Sequence, residues 1–374
     1  MKEGLKRARF DLPAPAGDSA ATIVPRTSPP PPDAYLRTAL LAVMAGALLS
    51  AAGFPLGWMV GAMLASAYLG WRGVAAVPDW VRPAGLVVLG LGLGQTFTAP
   101  VVAAVAGALP VILVGGLGAI LAGIAVLPLY RRIARVDLRT AYYAAIPGGI
   151  MTMAVLAQRA GAGVPAVTLA QTLRMAAVVL IFPPVIAVFA TGARDAAFTA
   201  DLPPLAWGGL ALMLAGGAVV AFLGGKVGLA NAAMLAPCLL AMALSGFGAL
   251  PSSVPRWLVD AAQVAMGASL GMRLTPQALG GGPRRQALAA LVSALAISAL
   301  LAVLGVVLGL VSGLPPVAVS LGMAPGGMPE MAVTAKALDL AVPLVLGFHL
   351  VRTVLCNLLV GPIWRLGLRI GLFR

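Results

Sequence analysis

The chain has 374 residues, of which 61% are hydrophobic and 10% charged, and its mean hydropathy is +1.01. A soluble domain carries about 25% charged residues, and a globule this apolar could not cover its own surface with polar groups. The composition therefore excludes a soluble fold and points to a polytopic membrane protein. Two cysteines, Cys238 and Cys356, and a single histidine, His349, argue against a disulfide framework and against imidazole-built copper, haem or zinc centres. No cofactor is expected. The formal charge of +14 is read as Lys and Arg on membrane flanks, where they set topology, rather than as a nucleic-acid footprint.

Residues 1–34 form a compositional zone of their own, with Lys2, Lys6, Arg7, Arg9 and Arg26 among small polar residues and a proline run from Pro29 to Pro32. No apolar run follows the early positive charges at signal-peptide distance. The zone reads as a disordered, basic, Pro-rich cytoplasmic tail; a DNA-binding arm is the competing reading, and no folded reader accompanies it. From Tyr35 onward, apolar segments alternate with short polar breaks, over 35–52, 54–70, 83–98, 101–129, 141–158, 164–190, 205–224, 228–249, 257–272, 286–312, 316–337 and 341–364. A spanning helix needs about 20 apolar residues. Several segments are short or are interrupted by Pro55, by Pro147-Gly148-Gly149, by Pro183-Pro184 and by Pro325-Gly326-Gly327. Helices do not run through such sequences unstrained, and a break at membrane depth is tolerated only where protein or a watery cavity satisfies the freed backbone.

The chain repeats itself at a distance of about 177 residues. Gly90-Leu-Gly-Leu-Gly-Gln-Thr-Phe-Thr98 lines up with Gly267-Ala-Ser-Leu-Gly-Met-Arg-Leu-Thr275, and Pro147-Gly148-Gly149 with Pro325-Gly326-Gly327. Met153-Ala-Val155 then matches Met331-Ala-Val333, Val164-Pro165 matches Val342-Pro343, and Arg174 matches Arg352. Residues 35–190 and 205–374 are thus read as two membrane repeats joined by a linker at 191–204. If every segment crosses, the chain makes twelve crossings and the halves are parallel. If each Pro-Gly-Gly segment dips in and returns, there are ten crossings and the second half is inverted. Inversion puts the clusters Arg131/Arg132/Arg135/Arg139, Arg273/Arg284/Arg285 and Arg365/Arg369/Arg374 all on the cytoplasmic side, as the positive-inside rule prefers. The expected fold is therefore an all-α polytopic membrane protein of two homologous, inverted halves with broken or re-entrant Pro-Gly-Gly helices.

The doubled Pro-Gly-Gly blocks, above all Ala324-Pro-Gly-Gly-Met-Pro-Glu-Met-Ala-Val-Thr-Ala-Lys336 followed by Phe348-His-Leu-Val-Arg352, resemble the bacterial AbrB membrane-protein family with its duplicated domain. The resemblance covers about residues 35–370. Where a Gly-Pro pair is usual in each half, this chain has Gly61-Ala62 and Ala236-Pro237. The resemblance implies an inner-membrane protein. It also brings two labels, AbrB family transcriptional regulator and ammonia monooxygenase. An ammonia monooxygenase needs several nitrogen ligands, which one histidine cannot supply; any regulatory effect is expected to be indirect, through a transported or sensed solute.

Ionisable groups inside membrane segments are costly and face the bundle interior. Glu330, one of two glutamates in the chain, follows the second Pro-Gly-Gly, and its repeat counterpart is Thr152. It reads either as a cation or proton ligand beside a broken-helix tip, or as an acid offsetting the positive end of a helix beginning near Met328. His349 and Arg352 are spaced i, i+3 on one helical face, and Gln171 and Arg174 hold the matching places in the first half. The two arginines either clamp an anionic substrate or cap broken-helix carbonyls and snorkel. His349 is a proton relay or a packing histidine. Pro147, Gly148, Gly149, Pro325, Gly326 and Gly327 free backbone groups of the kind that hold substrate and ions in secondary transporters. Asp260 and Gln263 read as a helix start, and Lys336 and Asp339 as interface residues.

The functional expectation is a secondary transporter or solute permease, ion-coupled and acting on a small anionic solute, with no Walker-type loop and no enzymatic activity. The alternative is a membrane sensor that affects gene expression indirectly. Expected partners are the lipid bilayer and a small-molecule or ion substrate, without direct nucleic-acid contact. Homo-oligomerisation stays open, and the N-terminus is expected in the cytoplasm.

Overall fold

The computed structural model describes residues 31–190, 202–229, 231–275, 283–371 and 373. Residues 1–30 of the tail read as disordered and most of the 191–204 linker lie outside the described residues; the tail's last residues, Pro32–Ala34, instead open α1. Among the described residues the chain is helical and has no strands. The first half contains α1 (Pro32–Ala51), α2 (Gly57–Trp71), α3 (Val81–Gly94), α4 (Ala99–Gly107), α5 (Leu109–Ala134), α6 (Leu138–Ala145), α7 (Ile150–Arg159) and α8 (Val164–Phe189). The second contains α9 (Trp207–Lys226), α10 (Ala232–Gly246), α11 (Arg256–Gly271), a 3-10 turn (Met272–Leu274), α12 (Arg284–Ser312), α13 (Pro316–Met323), α14 (Met328–Ala337) and α15 (Val342–Arg369).

The order of long and short helices recurs. Lengths of 20, 15, 14, 26, 8, 10 and 26 residues in α1–α3 and α5–α8 are followed by 20, 15, 16, 29, 8, 10 and 28 in α9–α15. The place of α4, which leaves α3 at 90°, is taken in the second half by the 3-10 turn. Among the described residues six helices are long and apolar enough to cross a bilayer alone: α1, α5, α8, α9, α12 and α15. Their outer faces are strongly apolar and open, as at Leu48, Phe222 and Val311, which suits lipid rather than water.

Proline marks seven of the fifteen described α-helix starts. It stands in the first turn of α1, α4, α5, α8, α13, α14 and α15, where its missing N–H costs nothing. The expected interruption at Pro183-Pro184 does not occur, because α8 runs through both prolines to Phe189. Pro128, Pro237 and Pro362 likewise sit inside helices. Two prolines forfeit two hydrogen bonds, whereas ending a helix at that depth would free several backbone groups with no water to meet them. The expected 101–129 segment divides instead into α4 and α5, at Ala108.

Close helix contacts fall on the glycines of the repeat. A Cβ at Gly90 or Gly94 would lie 2.4 or 2.2 Å from the carbonyl oxygens of Met234 and Cys238, so α3 lies backbone to backbone against α10. Gly267 and Gly271 stand in the same relation to Met59 and Met63, at 2.1 and 2.3 Å, seating α11 on α2. These are small-xxx-small contacts, which stabilise helix pairs through van der Waals packing where no hydrophobic effect drives association. α3 and α11 run in opposite directions: Gly85 of α3 faces Ala262 and Ala265 of α11, while Gly92, further along α3, faces Val259 and Val254. The end of α5 (Tyr130, Ala134) likewise shares a buried cluster with the start of α12 (Ala289, Ala290) and the end of α15 (Val360, Trp364).

Gly94→Val and Gly267→Val should each lower the unfolding temperature of the detergent-solubilised protein, at a cost of about 1–3 kcal/mol or more from overpacking. Gly225→Ala and Gly361→Ala, whose Cβ positions meet nothing within 4 Å, should leave it unchanged or slightly higher. Equal effects in both pairs would remove the packing role assigned to the repeat glycines.

Candidate functional site

The first Pro-Gly-Gly break folds the chain back on itself. In the first half, α6 begins at an N-cap in which Asp137 Oδ2 accepts the Thr140 N–H at 2.9 Å. Partial burial raises the Asp137 carboxyl, but its bonds from Thr140 and the nearby Arg139 charge outweigh this and hold it below the usual range. The chain then turns at Ile146–Gly149 and comes back as α7. Both ends of this hairpin meet. Arg139 Nη1 donates to the Ala160 carbonyl at 2.8 Å, and Gly163 N–H donates to Thr140 Oγ1 at 2.8 Å. The matching α13–α14 pair turns at Ala324–Gly327.

Each turn strands carbonyls. Pro147 has no N–H to close the turn on Tyr143, and Gly148 N–H goes to Ile146 instead of Ala144. Gln171 repairs this from α8: its Nε2 donates to the carbonyls of Tyr143 (3.1 Å), Ala144 (3.2 Å) and Ile146 (2.9 Å). Arg174, one turn on, donates from Nη1 to Ile146 O and from Nη2 to Gly148 O, both at 3.1 Å, and from Nη2 to Gln171 Oε1 at 2.6 Å. Its Nε reaches across to Pro325 O, in the other turn, at 3.1 Å. In the second half Arg352 repeats the pattern, donating from Nη1 to Ala324 O and from Nη2 to Gly326 O, the latter at 2.8 Å. Its Nη2 also lies 3.0 Å from His349 Nδ1. Cys356 Sγ approaches Pro147 O at 3.7 Å, so α15 too touches the opposite turn.

Of the two readings of the arginines, the geometry realises the capping one. Four donor bonds of Arg174 are spent on Gln171 and on backbone carbonyls, and little of the guanidinium is left for a substrate. The second half is less complete: Arg352 Nε is buried without a hydrogen-bond partner among the described residues. The glycines do different work from the prolines. A Cβ on Gly326 would come 2.9 Å from Val178 Cγ1, and one on Gly148 would strike Met153, so both keep the turns packed.

Glu330 is 1% exposed, on the first turn of α14. Its carboxyl folds back over Gly327, where a Cβ would overlap it. Oε2 has no hydrogen-bond partner among the described residues. Thr152, the counterpart in α7, is only partly buried. Further along α14, Thr334 Oγ1 donates to Glu330 O at 2.8 Å and Lys336 Nζ to Gly92 O of α3 at 3.2 Å. Gln263 Nε2 donates to Asp260 Oδ1 at 3.1 Å on α11, and the Asp260 carboxylate is within electrostatic reach of Lys336. Lys336, read from sequence as an interface residue, thus ties α14 to α3.

Two residues of this region escaped the sequence reading. Arg82, at the start of α3, and Arg273, in the 3-10 turn, are the charges that act on the Glu330 carboxyl. Arg273 had been counted only as topology. Its signal was its place in the repeat, where a charge replaces Thr96 inside an otherwise matched apolar block.

The arrangement is that of an all-helical, multi-pass membrane-type protein built around two facing helix breaks. Residues 58–367 match the family described as Transition state regulatory protein AbrB, and the chain belongs to this AbrB family. It is similar to "Uncharacterized protein YhjN" of Bacillus subtilis (strain 168), with 26% identity over 355 residues, 86% of this chain and 90% of that one. It is also similar to "Putative regulator AbrB" of Escherichia coli (strain K12), with 34% identity over 159 residues, 41% of this chain and 45% of the relative.

Arg174→Gln should destabilise the protein more than Arg352→Gln, since it strips donors from both turns. Each buried carbonyl left bare costs about 1–3 kcal/mol. Arg174→Lys should rescue little, because one ammonium cannot reach acceptors on two turns. Thermal unfolding in detergent reads all three; a fully stable Arg174→Gln protein would contradict the capping role.

Proposed function

We propose that the protein is a secondary transporter of the inner membrane, moving a small anionic solute with a coupling ion and without enzymatic chemistry or direct nucleic-acid binding. On this reading the halves are inverted repeats with ten crossings, the N-terminus is cytoplasmic, and α6–α7 and α13–α14 are re-entrant hairpins entering from opposite sides. The opposed directions of α3 and α11 and the bonds that join the two ends of α6–α7 support it.

The observation that carries the transport reading is the unequal docking of two matched hairpins. α14 is buried from Pro329 to Ala335 and packs on α3, α8, α13 and α15. α7 packs on α6 and α8, buries only Met153 and Ala157, and leaves Met151 78% exposed. Two copies of one element in two different positions are what alternating access produces when the halves exchange roles. In the exchanged state α7 would dock on α11 as α14 now docks on α3. The bridge from Lys336 to Gly92 then becomes, by the repeat register, a contact between Gln158 and Ser269.

That contact is testable. With Cys238 and Cys356 replaced, the Gln158→Cys/Ser269→Cys pair should form a disulfide in native membranes, bringing the Cα atoms within about 4.4–6.8 Å. It should also arrest any flux measured in liposomes, with reduction restoring it. No cross-link under oxidising conditions that join a Lys336→Cys/Gly92→Cys control pair would count against alternating access. The printed name of the Escherichia coli relative favours the sensor reading. A sensor should bind a solute without flux and depend on a cytoplasmic partner.

A further inference from the structure

We propose that Glu330, Arg82 and Arg273 form a shared site for one proton and one small carboxylate anion, in which the proton on Glu330 Oε2 and the anion bind together. The inference deepens the transport reading by naming the coupling ion and the place of the solute. Binding at the site can also be measured where no flux exists.

The charge balance leads to it. Arg82 and Arg273 are within electrostatic reach of Glu330 and of each other, so one carboxylate lies in the field of two guanidinium groups. Two polar atoms there are buried and without a hydrogen-bond partner among the described residues, Glu330 Oε2 and Arg82 Nη1. Such atoms cost free energy unless something completes them. A sodium ion at Oε2 would need several oxygen ligands, and the two guanidinium groups offer donors only. A proton neutralises the carboxylate and turns Oε2 into a donor. An incoming carboxylate then takes the negative charge that Glu330 gave up: one of its oxygens accepts from Oε2–H and the other from Arg82 Nη1–H. The net charge of the site is the same before and after, so the co-bound state carries no additional charge through the membrane.

Other charged groups near α14 are committed elsewhere. α8 contributes Arg174 and α15 contributes Arg352, with most donors on the carbonyls of the two turns, and His349 lies against Arg352. Lys336 bonds Gly92, is attracted by Asp260 and is repelled by Arg256. α13 carries no ionisable side chain. Gly327 acts as a positioning residue, since only a residue without Cβ lets the Glu330 carboxyl fold back over the turn.

The test is labelling of the purified full-length protein with a hydrophobic carbodiimide, which reacts with protonated buried carboxyls, read by peptide mass spectrometry. Glu330 labelling should rise as pH falls, be unaffected by exchanging choline chloride for sodium chloride, and be suppressed by sodium acetate, pyruvate or benzoate. Arg82→Gln should move the pH dependence upward by about 1–3 pH units, a tenfold to thousandfold gain in proton affinity, because an opposite charge is removed. Arg82→Lys should restore most of it. Gly327→Ala should change the labelling while thermal unfolding shows the protein folded. Protection by sodium would overturn the proton, protection by none of the three carboxylates would overturn the shared anion site, and an unreactive Glu330 at every pH would overturn both. Labelling as expected in a protein that supports no flux would sink the transport reading and leave the site standing.

Discussion

Backbone carbonyls released by proline, in a place water cannot serve, are the constraint on which the centre of this protein depends. Pro147 and Pro325 each remove a helix hydrogen bond at depth, and the glycines beyond them turn the chain. A buried carbonyl without a donor is expensive in protein and more so in a membrane. Gln171 and Arg174 from α8, and Arg352 beside His349 from α15, supply the donors. The long helices α8 and α15 are consequently fixed to the short ones, and the Arg174 bond to Pro325 ties one turn to the other. Intramembrane arginines here are first of all structural donors whose geometry holds the two breaks face to face.

Around that centre the two halves are alike in plan and unlike in chemistry. The first half answers its freed carbonyls almost completely. The second substitutes His349 for Gln171 and Glu330 for Thr152, and leaves polar atoms without partners among the described residues. Such asymmetry has no packing advantage, because it buries a carboxyl and an imidazole where an amide and a hydroxyl would cost less. The incomplete half is also the one whose hairpin is fully packed. Chemistry and docking therefore coincide on α14.

The scaffold that carries these hairpins is held by small residues. α2 against α11 and α3 against α10 pair helices from opposite halves at backbone contact, and each depends on a glycine pair spaced by four. Such pairs give rigid contacts without large side chains, and leave the broad apolar faces of α1, α9 and α12 for lipid. The short helices of the first break are joined to each other and to α8 by hydrogen bonds rather than by such glycine contacts.

Much of this was legible in the sequence, and for physical reasons. Apolar content too high for water dictated the membrane, and Pro-Gly-Gly could only be a break. Where the sequence reading failed, the cause was distance along the chain. Pro183 and Pro184 looked like a break of the same kind, but a continuous α8 loses fewer hydrogen bonds than an interrupted one, and only the packed bundle exposes that comparison. Arg174 and Arg352 were visible as duplicated charges, yet their role turned on acceptors more than twenty residues earlier and, for Pro325, on the far side of the repeat. Arg82 and Arg273 come within reach of Glu330 only through the packing of the folded chain, which sets α14 against α3. Composition and pattern report what each segment can do with its own backbone. Which donor meets which stranded acceptor depends on long-range packing, and that was decided by the tertiary structure alone.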